Sequence, residues 1–122
     1  MSCVLLLGAC AAKPLEDYAF AGIERRIFQW AFWNGRCAAT EFDIRIKRAP
    51  ASGEAVVRDE RMTIPRESAS GARMACAGRQ IAGKSVWYRA DEGYEGPDVV
   101  GLSVVGPGAA PQNFEIEIDV RR

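Results

Sequence analysis

The stretch Phe114-Glu115-Ile116-Glu117-Ile118-Asp119-Val120 alternates apolar and acidic side chains without a break. A strand sends successive side chains to opposite faces, whereas a helix would scatter these four apolar groups around its circumference. The segment is therefore a half-buried strand, one face on a core and the other in water. Phe42-Asp43-Ile44-Arg45-Ile46-Lys47 repeats the pattern, with Asp43, Arg45 and Lys47 on its solvent face. If the two strands pair, the mainly opposite charges add a few tenths of a kcal/mol per contact. If they do not, each is simply a solvated face.

Between these strands lie shorter apolar runs separated by glycine and proline. Ala55-Val56-Val57 follows Gly53, Met62-Thr63-Ile64 stops at Pro65, and Ser85 to Tyr88 and Val99 to Val105 supply two more. Short strands at this spacing indicate a β-sandwich. The segment 20–33 has two readings: Ile23, Ile27 and Trp30 share a helical face, whereas Phe28, Trp30 and Phe32 share one face of a strand. Aromatic density and the closing turn signal Asn34-Gly35 favour the strand. The polar stretch from Glu67 to Gly78 reads as a long loop, and Pro107 to Pro111 as an irregular hairpin connection. No repeat or heptad is present.

The chain has 122 residues, which sets one domain with enough length to bury a core without help from a metal. Its 16 basic and 16 acidic residues cancel, so no overall field draws it to nucleic acid. It contains no histidine, which removes serine-histidine and cysteine-histidine nucleophiles, most zinc sites and any imidazole switch. No cofactor or metal is expected.

Near the start, Val4 to Leu7 are apolar, Gly8 and Ala9 are small, and the first charge is Lys13. Such a stretch is far too short to span a bilayer. Leu7-Gly8-Ala9-Cys10 resembles the lipobox of bacterial lipoproteins, in which a peptidase cuts before the cysteine and its thiol carries a diacylglyceryl group. The resemblance implies a signal segment over 1–9, Cys10 as the lipidated N-terminus and a tether over 10–19. Met1-Ser2-Cys3 lacks the positive charge that usually opens a secretory leader. A start upstream of Met1 would account for that, and the rival reading makes Cys10 a buried thiol of a first strand.

If Cys3 leaves with the leader and Cys10 carries lipid, Cys37 and Cys76 remain, an even pair suited to an oxidising compartment. They are too far apart for a redox Cys-x-x-Cys and have no partners for a metal tetrahedron. A structural disulfide is expected, with two free thiols as the alternative.

The stretch Tyr88-Arg89-Ala90-Asp91-Glu92-Gly93-Tyr94-Glu95-Gly96-Pro97-Asp98 resembles the signature of bacterial cadherin-like and related immunoglobulin-like domains, matching at Tyr88, Gly93, Tyr94, Gly96 and Asp98. Pro50-Ala51-Ser52-Gly53-Glu54-Ala55-Val56 is similar to the turn that enters a strand in the same domains. The resemblance covers about residues 40–121 and implies an immunoglobulin-like β-sandwich, here assigned to 20–122 with six to seven strands and one disulfide. It says almost nothing about activity. Read without the family, Gly93 and Gly96 permit backbone angles closed to other residues, Tyr94 can turn its ring beneath the corner, and Asp98 can accept turn amides.

Two functional alternatives attach to these residues. Asp91, Glu92, Glu95 and Asp98 supply hard oxygens of the kind calcium takes, although without the spacing of a calcium loop. Trp33 and Trp87, with Trp30, Tyr88 and Tyr94, could form a platform for sugar rings, although a small sandwich needs such side chains for its core. A hydrolase would need two carboxylates across a cleft, and no spacing picks out a pair. The sequence therefore reads as a non-enzymatic binding or structural module of the cell envelope. Its lipid holds it to a membrane facing the periplasm or cell surface, with an envelope protein or polysaccharide as the candidate partner.

Overall fold

The computed structural model describes residues 14–66 and 75–122. Cys3, Cys10 and most of the loop after Pro65 lie outside the described residues. Seven strands follow in chain order: β1 Leu15–Phe20, β2 Arg25–Trp30, β3 Asp43–Arg48, β4 Gly53–Thr63, β5 Gln80–Ala90, β6 Gly96–Val105 and β7 Gln112–Arg121. They form two sheets, one ordered β1-β7-β6-β3 and the other β2-β5-β4. Lettered A to G, this is A-G-F-C facing B-E-D, an immunoglobulin-like sandwich whose first strand lies on the sheet of the last.

Alternation decides what each strand buries. Ile116, Ile118 and Val120 of β7 join Val100, Leu102 and Val104 of β6 and Ile44 of β3 against Phe28, Val86, Tyr88 and Ala90 of the facing sheet. The acidic partners of β7 stay outside. The segment 25–30 is a strand, and Phe28, Trp30 and Phe32 run along one side of it: Phe28 stacks on Trp30 at 5.7 Å, and Trp30 meets Phe32 edge-on at 6.1 Å.

Two expectations are corrected. The sandwich begins at Leu15, not at residue 20, because β1 takes up half of the segment read as a tether and pairs in parallel with β7, Leu15 opposite Ile116 and Phe20 opposite Arg121. The runs around Val56 and Thr63 are one strand of 11 residues. Arg58-Asp59-Glu60-Arg61 does not break it, because β4 is an edge strand whose charged side chains reach water or a partner.

Of the two readings left open for β3 and β7, the unpaired one holds: β6 lies between them. Arg48 nevertheless reaches Glu115 at 3.6 Å, because the β6 residue between them is Gly101, paired with both. A Cβ at Gly101 would stand 2.9 Å from the Cβ of Arg48. Gly101→Ala should therefore cost about 1 to 3 kcal/mol by overpacking. Glu115→Gln, which removes only an exposed ion pair, should cost less than about 1 kcal/mol. Chemical denaturation of the two variants checks the ranking.

Candidate functional site

The strand directions give the sandwich two ends. The turns β1–β2, β3–β4 and β5–β6 close one; the connections 31–42, 64–79 and 106–111 close the other.

At the first end the backbone turns twice within a few residues, and Asp98 holds both turns. Its side chain is only 5% exposed. Oδ1 accepts the amides of Ala51 and Val99, each at 2.9 Å, and Oδ2 accepts the Ser52 amide at 3.1 Å and the Tyr88 hydroxyl at 2.7 Å. The Asp91 amide donates to the Ser52 carbonyl, tying the β5–β6 corner to the β3–β4 turn. Tyr94 packs against the core and donates its hydroxyl to the Pro97 carbonyl at 2.5 Å. Gly93 and Gly96 have φ of 80° and 135°, in the region that favours glycine. Burial, and then the bond to the Asp98 carboxylate, push the Tyr88 hydroxyl well above its ordinary value, so the phenol keeps its proton.

Asp98 therefore has four donors on two oxygens. Asp91, Glu92 and Glu95 are exposed around it, and among the described residues no group of three or more histidine, cysteine, aspartate or glutamate side chains is placed to hold a metal.

Trp87 lies on the outer face of the three-stranded sheet. Its Nε1 donates to the Ser85 hydroxyl at 2.9 Å and to Glu60 Oε1 at 3.2 Å, while Ser85 donates to the same Glu60 oxygen at 2.6 Å. Arg26 pairs with the other oxygen of Glu60. The Ser85 hydroxyl, followed by Trp87 and Arg26, outweighs desolvation and holds the Glu60 carboxyl below the usual carboxylate range. Arg58 and Arg26 lie 5.2 and 5.9 Å from the indole centroid. Arg58 also grips Glu24 with two bonds, at 2.8 and 2.7 Å. That pairing holds the Glu24 carboxyl low as well.

The two tryptophans singled out as ligand aromatics are thus far apart in role. Trp87 is set among two arginines and a carboxylate. Trp33 packs at the other end against the cluster of Ile64, Cys76 and Ile81, and lines a hollow of about 550 Å³ with Trp30, Phe32, Met62 and Pro65. Tyr18 and Phe20 are the large aromatics most open to water among the described residues, and their rings meet at 82°. A sugar platform wants coplanar rings.

The second end is stapled. Cys37 in the β2–β3 connection and Cys76 before β5 form a disulfide, with Cα atoms 5.4 Å apart across a sequence separation of 39. It joins two connections rather than crossing the core between sheets. Asn34 shapes the first of them: its Oδ1 accepts the amides of Arg36 at 2.9 Å and Ala38 at 3.1 Å. Its carbonyl accepts the Cys37 amide, and Cys37 itself adopts a left-handed φ of 60°.

Counting cysteines was enough to find the staple. The Glu60–Ser85–Trp87–Arg26 group was not visible, because its members come from three strands and Arg26 and Glu60 stand 34 positions apart. Its sole trace in the sequence is the charged run inside β4.

No family model matches the chain, and no curated protein matches it in sequence. Among solved structures, the solution structure of Amebosin is similar at a TM-score of 0.47 with 10% identity, over 89% of this chain and 100% of that one. A likeness at that level carries no argument about function.

Proposed function

We propose that this chain is a lipid-anchored module of the cell envelope, held to a membrane through Cys10 and serving as a binding or structural domain rather than an enzyme. The observation that carries the reading is the fate of the cysteines. Cys37 and Cys76 are joined to each other, as an oxidising compartment favours. The segment Leu7-Gly8-Ala9-Cys10 supplies the small residues and the thiol that lipidation needs. Acyl chains stabilise attachment by about 0.8 kcal/mol per buried methylene, so a multiply acylated terminus would hold firmly.

The faces of the sandwich suit a scaffold. Asp98 and Glu60 spend their oxygens on neighbouring side chains and amides, and Glu24 spends its pair on Arg58. Such residues fix strands.

Fractionation tests the anchor. Wild-type protein expressed in a bacterium with its leader should sediment with membranes, and Cys10→Ser should either stay uncleaved or pass to the soluble fraction. Wild-type and Cys10→Ser chains dividing identically between the fractions would remove the anchor from the account.

A further inference from the structure

We propose that β4 is a docking edge for a second copy of this chain: two β4 strands pair antiparallel about Val56 and join the three-stranded sheets of two domains into one continuous sheet. The pairing needs no lipid.

Two sheets have four outer strands, and among the described residues three of these are blunted. Ile27 bulges out of β2 and Lys47 out of β3, where their registers with β5 and β6 shift. β1 has only six residues, and its Tyr18 amide is already taken by Asp17 Oδ1 at 2.8 Å. β4 is protected in neither way. Its 11 residues keep one unbroken register with β5, from Gly53 opposite Ala90 to Thr63 opposite Gln80. A long, regular outer strand offers a row of backbone donors and acceptors to another strand.

The bonds that flank β4 fix which groups face out. The Asp91 amide donates to the Ser52 carbonyl and the Ile64 amide to the Arg79 carbonyl, each at 2.9 Å, so the even-numbered residues of β4 bond to β5. The amides and carbonyls of Gly53, Ala55, Val57 and Asp59 therefore point away from the sheet. Two β4 strands related by a two-fold axis set these odd residues opposite one another.

Charge then selects the register. Pairing about Val56 sets Glu54 opposite Arg58 on both sides of the axis, and Val56 opposite Val56 of the second copy. Pairing about Val57 would set Glu54 against Glu60, and pairing about Arg58, Asp59 or Glu60 would set that residue against itself. Like charges directly opposite destabilise a strand pair. About Val56, Ala55 lies opposite Val57 and Gly53 opposite Asp59, which gives about eight backbone hydrogen bonds. Gly53 has no room for a side chain, since a Cβ would stand 2.4 Å from the Arg89 carbonyl oxygen. Asp59 of the second copy is thereby left uncrowded.

The same register covers an apolar side chain that the single domain leaves open. Val56 is 41% exposed and lies opposite Trp87 of β5. In the pair, Trp87, Val56 and their two counterparts form one apolar strip across the joined sheets, with Arg58 beside it. Tryptophan and arginine are the residues that interface centres gather. The joint lies toward the Asp98 ends and leaves the stapled ends outermost. The two β1 strands then start from opposite sides of the pair, so copies anchored as proposed above would meet from facing membranes.

The test uses the full chain carrying Cys3→Ser and Cys10→Ser, which removes lipid and stray thiols and keeps the Cys37–Cys76 bridge. Sedimentation equilibrium from about 1 µM to about 1 mM spans the affinities of small interfaces. The mass should rise from that of one chain, 13.3 kDa, toward that of two and stop there. Val56→Lys, which sets two lysines opposite each other, should hold it at one chain. Glu54→Arg and Arg58→Glu should each weaken association at least about tenfold, and the two together should restore it. Arg45→Glu, on β3, should change nothing. A single-chain mass at every concentration, growth beyond two chains, a dimer that Val56→Lys leaves intact, or a double variant that associates no better than the single ones would overturn the proposal. The charge exchange alters only exposed side chains, so it decides the matter even if Val56→Lys does not fold.

Discussion

Replacing Cys37 and Cys76 together by alanine is expected to lower the unfolding free energy by about 4 kcal/mol. In the chain-entropy picture this is the cost of releasing a loop of about 40 residues in the unfolded state. The loss is concentrated where the main core gives no help. Cys76 is wholly buried in a small cluster with Ile64 and Ile81, against Ala31, Trp33 and Met62, separate from the sandwich interior. A domain of this size has about 5 to 15 kcal/mol in total, so the variant should melt roughly 15 °C lower while its strands remain. Urea unfolding of the oxidised wild type and the double variant measures it. A difference below about 1 kcal/mol would mean that the two connections hold each other without the bridge.

The second large effect belongs to Asp98. Asp98→Ala leaves three amides and the Tyr88 hydroxyl without their acceptor, and Tyr88 is wholly buried. Each buried donor left unpaired costs about 1 to 3 kcal/mol, partly relieved if water enters, so a total of about 3 kcal/mol or more is expected. Tyr88→Phe removes one of the four bonds along with its donor and should cost about 1 kcal/mol. Glu92→Gln and Glu95→Gln, at exposed positions of the same corner, should each change stability by less than about 0.5 kcal/mol. Thermal and urea unfolding of the four variants should give that order. If the corner were a calcium site, the melting temperature of the wild type would climb with millimolar calcium, and Glu95→Gln would stop the climb.

What the sequence made legible follows from locality. β7 and β3 announce themselves because each alternates within its own span. The Cys37–Cys76 pair follows from counting once Cys3 and Cys10 are assigned. β1 does not announce itself: Leu15-Glu16-Asp17-Tyr18-Ala19-Phe20 buries only Ala19 fully, and its strand character comes from a parallel partner a hundred residues downstream. Arg58 to Arg61 do not divide β4, because their charges are accepted by Glu24 just before β2, by Arg26 on β2, by Lys84 on β5 and by water.

The same logic governs the functional residues. That Asp98 would accept amides could be read from its place in the turn. That two of those amides belong to Ala51 and Ser52, 47 and 46 positions away, required the fold. Trp87 looked like a candidate for stacking because tryptophan in a short strand is conspicuous. Its flanking arginines lie on β2 and β4, and only the register Arg26–Trp87–Val56 brings them beside it.

The measurement that bears most directly on the account is the intact mass of the wild-type protein extracted from bacterial membranes. It should correspond to a chain that starts at Cys10, with the disulfide closed and the mass of a diacylglyceryl group, with or without an amide-linked acyl chain, added to Cys10. A protein recovered from the cytoplasm with residues 1–9 still attached and no added mass would contradict it.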